Sequence, residues 1–266
     1  MHELAAALDA WAPPQLAEGY DNVGLLLGSP QAEVSAALIS LELTEAVVDE
    51  ALAKGCQCII AHHPIWFGKR TRLTTEDWVG RLLLRAAKEG LNLFALHTNL
   101  DAVRTGVNHK LGDLIGVPED ARQPLRPGPP HPNGSLEPTG HGMCGLLPYH
   151  MEKGDFMAHI KHVFQAKVLR VGDVEGIRQI EKVAWCGGSG SFLLQDALAW
   201  GADAYITGDV THHTFFDHED RMLIVDVGHY ESEQFTPQLI HAHLSQLFPN
   251  FAFHLSHVDT NPITLY

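Results

Sequence analysis

The chain has 266 residues, of which 45% are hydrophobic, 19% charged and 8% aromatic, a globular composition with room for one large or two small domains. Lys and Arg number 18 against 32 Asp and Glu, and the net charge of −14 opposes general binding to nucleic acid or to anionic membranes. No apolar run approaches the roughly 18–20 residues needed to cross a bilayer. The opening MHELAAALDAWAPP carries Glu3 and Asp9 without a basic leader, so it does not read as a signal peptide and a cytoplasmic protein is expected.

In chain order, the first half alternates short apolar runs with amphipathic stretches. Strands are predicted at 23–27, 37–41, 58–61 and 93–96, and helices at 45–53, 76–88 and 107–115. Asp21 and Asn22 read as a turn that starts the first strand. Residues 118–142 hold seven of the 15 prolines without apolar periodicity and read as a connector or surface excursion. The second half resumes with strands at 143–147, 168–171, 182–186, 204–207 and 223–227, and helices at 155–164, 191–200 and 237–247, the last with Thr236 as N-cap before Pro237. The expected organisation is therefore an α/β lobe over 1–117, a Pro/Gly-rich connector over 118–142 and a second α/β lobe over 143–266.

The halves also echo each other. EALAKGCQCII (50–60) aligns without gaps on DALAWGADAYI (196–206), each a helix end, a capping glycine and a buried strand. Each half later carries His-x-x-x-acid after a strand: His97 with Asp101, and His229 with Glu233. An internal duplication accounts for both echoes; reuse of a common α/β pattern accounts for the first alone.

Histidine is over-represented, with 18 residues. Three constellations sit past the C-terminal ends of predicted strands, where open α/β sheets place ligands. In AHHPIWF, the end of the strand and Pro64 allow His62 and His63 to turn toward one cavity rather than to opposite faces. A separation of four brings His97 and Asp101, and His229 and Glu233, onto one face of a helical turn. Such imidazole and carboxylate donors suit zinc, iron, manganese or nickel. The pair His212 and His213 shows that an HH dipeptide alone is ambiguous.

The four cysteines (Cys56, Cys58, Cys144, Cys186) are too few for a disulfide framework, and Cys56 and Cys58, on one face of the apolar run CQCII, read as buried thiols. WCGGSGS (185–191) is either an anion cradle at a helix start or a tight turn with close backbone packing. Lys69 and Arg70 stand where an anionic substrate would meet the rim, or in a solvated loop.

AHHPIWF, HTNLDA and GHYESE, in this order, resemble the three metal motifs of the NIF-three-like dinuclear-metal-centre hexamer family, many of whose members are named GTP cyclohydrolase 1 type 2 homologue. PPQLAEGYDNVGLLLG, LELTEAVVDEAL, WCGGSGSF and GADAYITGDV extend the similarity over most of the chain. The resemblance implies a three-layer chain of two similar α/β lobes with a metal site between them, assembled as a toroidal homohexamer. It implies His62, His63, Asp101, His229 and Glu233 as ligands of two divalent ions per chain, with Glu233 bridging. His97 matches a family histidine lining the same site, as a further ligand or behind the ligands; a catalytic, proton-shuttling role is expected of it. Where the family often has Asp, this chain has Glu42. The expected function is a metal-dependent hydrolase of a small molecule, with a GTP cyclohydrolase reaction implied by the family name alone. The alternative is a non-catalytic, metal-binding hexameric regulatory or assembly protein. The acidic balance opposes a DNA-binding ring.

Overall fold

The computed structural model describes residues 1–218 and 220–266. In chain order its elements are α1 (His2–Trp11), β1 (Gly24–Leu27), β2 (Ala36–Ser40), α2 (Glu45–Ala53), β3 (Cys58–Ala61), α3 (Trp78–Lys88), β4 (Asn92–Ala95), α4 (Thr98–Ala102) and α5 (Val107–Ile115). These are followed by β5 (Arg122–Pro127), β6 (Gly140–Glu152), α6 (Lys153–Val163), β7 (Arg170–Gly172), β8 (Gln179–Trp185), α7 (Leu194–Trp200), β9 (Ala204–Thr207), β10 (Leu223–Asp226), α8 (His229–Glu233), α9 (Thr236–Leu247) and β11 (Ala252–Leu255).

They form two compact units: Met1–Leu100 with Phe235–Thr264, and Asp101–Gln234 with Leu265–Tyr266. This division differs from the predicted 1–117, 118–142 and 143–266. The difference arises because β11 pairs in parallel with β2, so the end of the second half completes the first sheet. The segment 118–142 is likewise no free connector: β5 and the start of β6 lie within it and pair antiparallel. Pro124 and Pro127 hid that strand from its sequence pattern, and they are tolerated because β5 is the edge of its sheet.

Unit 1 holds a five-stranded sheet of order β1-β4-β3-β2-β11. Its central strands are parallel and buried throughout, as CIIA and NLFA show, which explains their continuous apolar runs. α3 begins where the Asp77 carboxylate accepts a hydrogen bond from Gly80 N at 2.7 Å. Val79, Leu82, Leu83 and Ala86 then make its buried stripe against Leu38, Ile59 and Leu93. α9 starts at Thr236 rather than after it: Phe235 occupies the N-cap without a side-chain hydrogen bond, and the Thr236 side chain is buried.

Unit 2 holds a six-stranded sheet of order β5-β6-β8-β9-β10-β7. Four of its strands repeat unit 1 in both order and direction: β7-β10-β9-β8 matches β1-β4-β3-β2, with the first strand antiparallel in each. Even the register is kept. Ala37 pairs with Cys58 and Ile39 with Ile60, while Val183 pairs with Ala204 and Trp185 with Ile206, all shifted by the 146 positions seen in the sequence echo. The glycines between helix and strand lie at φ +67 (Gly55) and +81 (Gly201). The halves diverge between their repeated strands, where residues 62–91 hold α3 and the described residues of 208–222 hold a 3₁₀ turn at His213–His218. All four cysteines are buried and free. Among the described residues, no helix is long and apolar enough to cross a membrane.

Candidate metal centre

In unit 1 the backbone past β3 stays tied to β2. His62 N donates to Ser40 O at 3.2 Å and His63 N to Leu41 O at 2.9 Å. The chain so held buries both imidazoles, His62 completely. His97 follows β4 at the neighbouring strand end. The rings of His62, His63 and His97 pack with centroids 4.8, 5.3 and 5.2 Å apart, and one nitrogen from each lies within 4.8 Å of the others.

The outer nitrogen of each ring is committed. His62 Nδ1 donates to Leu96 O at 2.7 Å, His63 Nδ1 to Glu42 Oε1 at 2.6 Å, and His97 Nδ1 to Asp21 Oδ2 at 2.8 Å. Carbonyl and carboxylate oxygens only accept, so each Nδ1 carries a proton, and Nε2 is the nitrogen of each ring that can offer a lone pair to a metal ion. This outer oxygen partner is the arrangement that orients metal-binding histidines and raises their basicity. The donor set therefore fits a divalent ion of intermediate softness.

Asp21 is more than the turn residue read from the sequence. Its side chain is fully buried and also accepts from Thr98 N at 3.1 Å and Thr98 Oγ1 at 2.6 Å. Burial by itself would raise its carboxyl, but the hydrogen bonds from His97 and Thr98 and the attraction of His97 bring it down to about 2. Nothing near DN in the sequence signals this; the partner residues are 76 and 77 positions away.

Unit 2 carries Asp101 on α4 and the two ends of α8. His229 Nε2 stands 3.0 Å from Glu233 Oε2, as the spacing of four predicts. His229 Nδ1 donates to Asp209 Oδ2 at 2.7 Å, and Asp209 takes a left-handed backbone (φ +54) to present that oxygen. Glu233 is buried. Burial pushes the Cys186 thiol strongly up, and the charges of Asp101 and Glu233 add to the rise, so both carboxylates face the same buried wall.

WCGGSGS resolves as the close-packing turn. Gly188 has φ +61, and a Cβ there would stand 2.4 Å from Glu233 Oε1. Its N–H donates to Ser232 Oγ at 2.9 Å, inside α8. Missing side chains here make room for the carboxylate. Lys69 lies exposed and Arg70 pairs with Asp77 at 2.6 Å. His212 packs on His213 and on Phe216, and neither histidine belongs to a cluster of metal donors among the described residues.

Two similar α/β lobes with histidines and carboxylates grouped past their strand ends define a class of protein with a candidate metal site, and similarity to known proteins names the family. The chain belongs to the Duf34/NIF3 (NGG1p interacting factor 3) family, whose model matches residues 1–262. It is 33% identical over 235 residues to a Clostridium perfringens protein named GTP cyclohydrolase 1 type 2 homolog, covering 88% of this chain and 86% of that one. A Clostridium acetobutylicum protein of the same name is 30% identical over 233 residues, covering 87% and 84%. Among solved structures, the Bacillus cereus protein related to NIF3 matches with a TM-score of 0.90 at 24% identity, over 100% of this chain and 98% of that one, a likeness of fold.

Proposed function

We propose that the chain is a dinuclear metal-dependent hydrolase, with His62, His63, Asp101, His229 and Glu233 as the ligands of two divalent ions and His97 as the group that moves the proton. The observation that carries this reading is the shared hydrogen-bond pattern: His62, His63, His97 and His229 each commit Nδ1 to an oxygen, which makes Nε2 the nitrogen that would meet an ion. A divalent ion held there supplies Lewis acidity and lowers the pKa of a water nucleophile. His97 would take up a proton at Nε2, and Asp21 would stabilise the resulting imidazolium through Nδ1. The relatives' name points to nucleotide ring opening; no guanine-reading side chains support that specific reaction in this chain. A cytoplasmic homohexamer is part of the same reading, and it requires a sedimentation mass near six times the 29.2 kDa chain.

The test screens metal-loaded protein against phosphoesters, nucleotides and cyclic amides, with metal content measured in parallel. The double variant His63→Ala/Glu233→Ala is expected to lose its metal and reduce turnover to background. Turnover that survives in the double variant overturns the hydrolase. Stoichiometric metal with no turnover on any class of substrate favours the metal-binding regulatory or assembly protein.

A further inference from the structure

Large aromatic side chains at the surface expose apolar area that water penalises, so those held rigidly in view call for an occupant. Phe192 lies under the Arg126 guanidinium, and Phe216 packs on His212. Phe67 is different. Its ring is 55% exposed, yet its centroid lies 5.6 Å from His97, inside the neighbourhood of the histidine cluster. Tyr20, 57% exposed, stands 6.3 Å from Phe67 at a tilt of 57°.

Both rings are carried on pinned backbone. Asn22 Nδ2 donates to Trp66 O at 2.9 Å and to Gly68 O at 3.0 Å, and Gly68 N donates to Tyr20 O at 2.9 Å. The next residue in the chain, Asp21, holds His97. One short segment, residues 20–22, thus sets a catalytic imidazole and an aromatic corner at the same time. Beyond the corner the loop continues through exposed Lys69 and Arg72, two cations on a chain of net charge −14.

We propose that Phe67 and Tyr20 form a subsite for the flat ring of the substrate, a heteroaromatic ring on a molecule that also carries an anionic group, stacked beside His97 with the anion toward Lys69 and Arg72. The ring class follows from the two aromatic faces, whose stacking tolerates any planar π-system. The anion is assigned from Lys69 and Arg72, exposed cations that follow Phe67 by two and five positions. The assignment rests on the hydrolase reading for its purpose, but its binding is measured without turnover.

Isothermal titration of the metal-loaded protein with guanosine 5′-monophosphate, adenosine 5′-monophosphate and ribose 5-phosphate separates ring from phosphate. At least one nucleotide should bind fivefold or more tighter than ribose 5-phosphate, about the lower end of the worth of stacking one base. Phe67→Ala should erase that margin, leave ribose 5-phosphate affinity and metal content unchanged, and be rescued by Phe67→Tyr; Tyr20→Ala should reduce it in part. Equal binding of the three probes, or full nucleotide affinity in Phe67→Ala, overturns the subsite. A drop in sedimentation mass of Phe67→Ala without a loss of ring preference also overturns it, because the aromatic corner is then a contact between copies. If no substrate is ever turned over but the ring preference stands, the hydrolase fails and the subsite survives.

Discussion

The two units share four strands, their order and their register, yet they carry different chemistry. Unit 1 brings three imidazoles together; unit 2 sets one imidazole beside buried acid. At the 146-residue shift, His63 of unit 1 corresponds to Asp209 of unit 2, and Glu42 to Gly188. One unit thus has a candidate ligand where the other has the carboxylate that orients one. Where one has that carboxylate, the other has a gap that Glu233 fills. The strands fix where the chain ends point, and the loop residues decide what is presented there.

Core truncation should affect both units alike, with the largest effects. Ile60 and Ile206 are equivalent and essentially fully buried. Replacing either by Ala is expected to cost about 2–5 kcal/mol, read from denaturant midpoints. A large loss in one and none in the other would break the equivalence of the cores.

The oxygen partners of the histidines should differ. The Asp21 side chain has no exposed surface and accepts four hydrogen bonds, from Asn22 N, His97 Nδ1, Thr98 N and Thr98 Oγ1, whereas the Asp209 side chain is 52% exposed and accepts from His229. Asp21→Asn, which removes the carboxylate behind the proton-moving His97, should lower turnover and leave metal affinity nearly unchanged, whereas Asp209→Asn, behind the ligand His229, should weaken metal affinity by roughly 10–100-fold. Competition with a chelating dye measures the affinities, and a larger loss in Asp21→Asn would place His97 among the ligands.

The smallest effect concerns acid. Each unit has a half-buried histidine on the helix that follows the other unit's repeat in the chain, His243 on α9 in unit 1 and His109 on α5 in unit 2. Burial lowers both pKa values, and for His109 the charge of Arg122 adds to the lowering. The unfolded chain then takes up protons first. Stability is intact above about pH 6.5, the ordinary value, and falls as pH drops from there toward the depressed folded values. Chemical denaturation between pH 8 and 5 should show a shallower acid limb in His243→Phe and in His109→Phe, and the two changes should add. His243 stacks on Trp11 at 3.9 Å, so phenylalanine preserves its packing.

Most strands were legible because parallel buried strands read as apolar runs, and 58–61 and 204–207 fall on β3 and β9. Strand β5 was not, because its prolines erase the pattern, nor was α1. Within the site, His229 and Glu233 were legible from their spacing, and their approach confirms it. The echo with His97 and Asp101 is looser than the sequence indicates. α4 and α8 match end for end, but His97 precedes its helix whereas His229 begins one. Asp21, Asn22 and Asp209 escaped because their partners are set by tertiary packing, with no periodic signal in the chain.

The exchange of tails between the units has a cost during synthesis. The first sheet lacks its last strand until residues 252–255 emerge, long after β2 has been made. At typical translation rates of about 5–20 residues per second, β2 waits roughly ten to forty seconds with an open edge. A nascent chain stalled in that interval is the form most exposed to wrong pairing, and the one for which chaperone capture on the ribosome matters most.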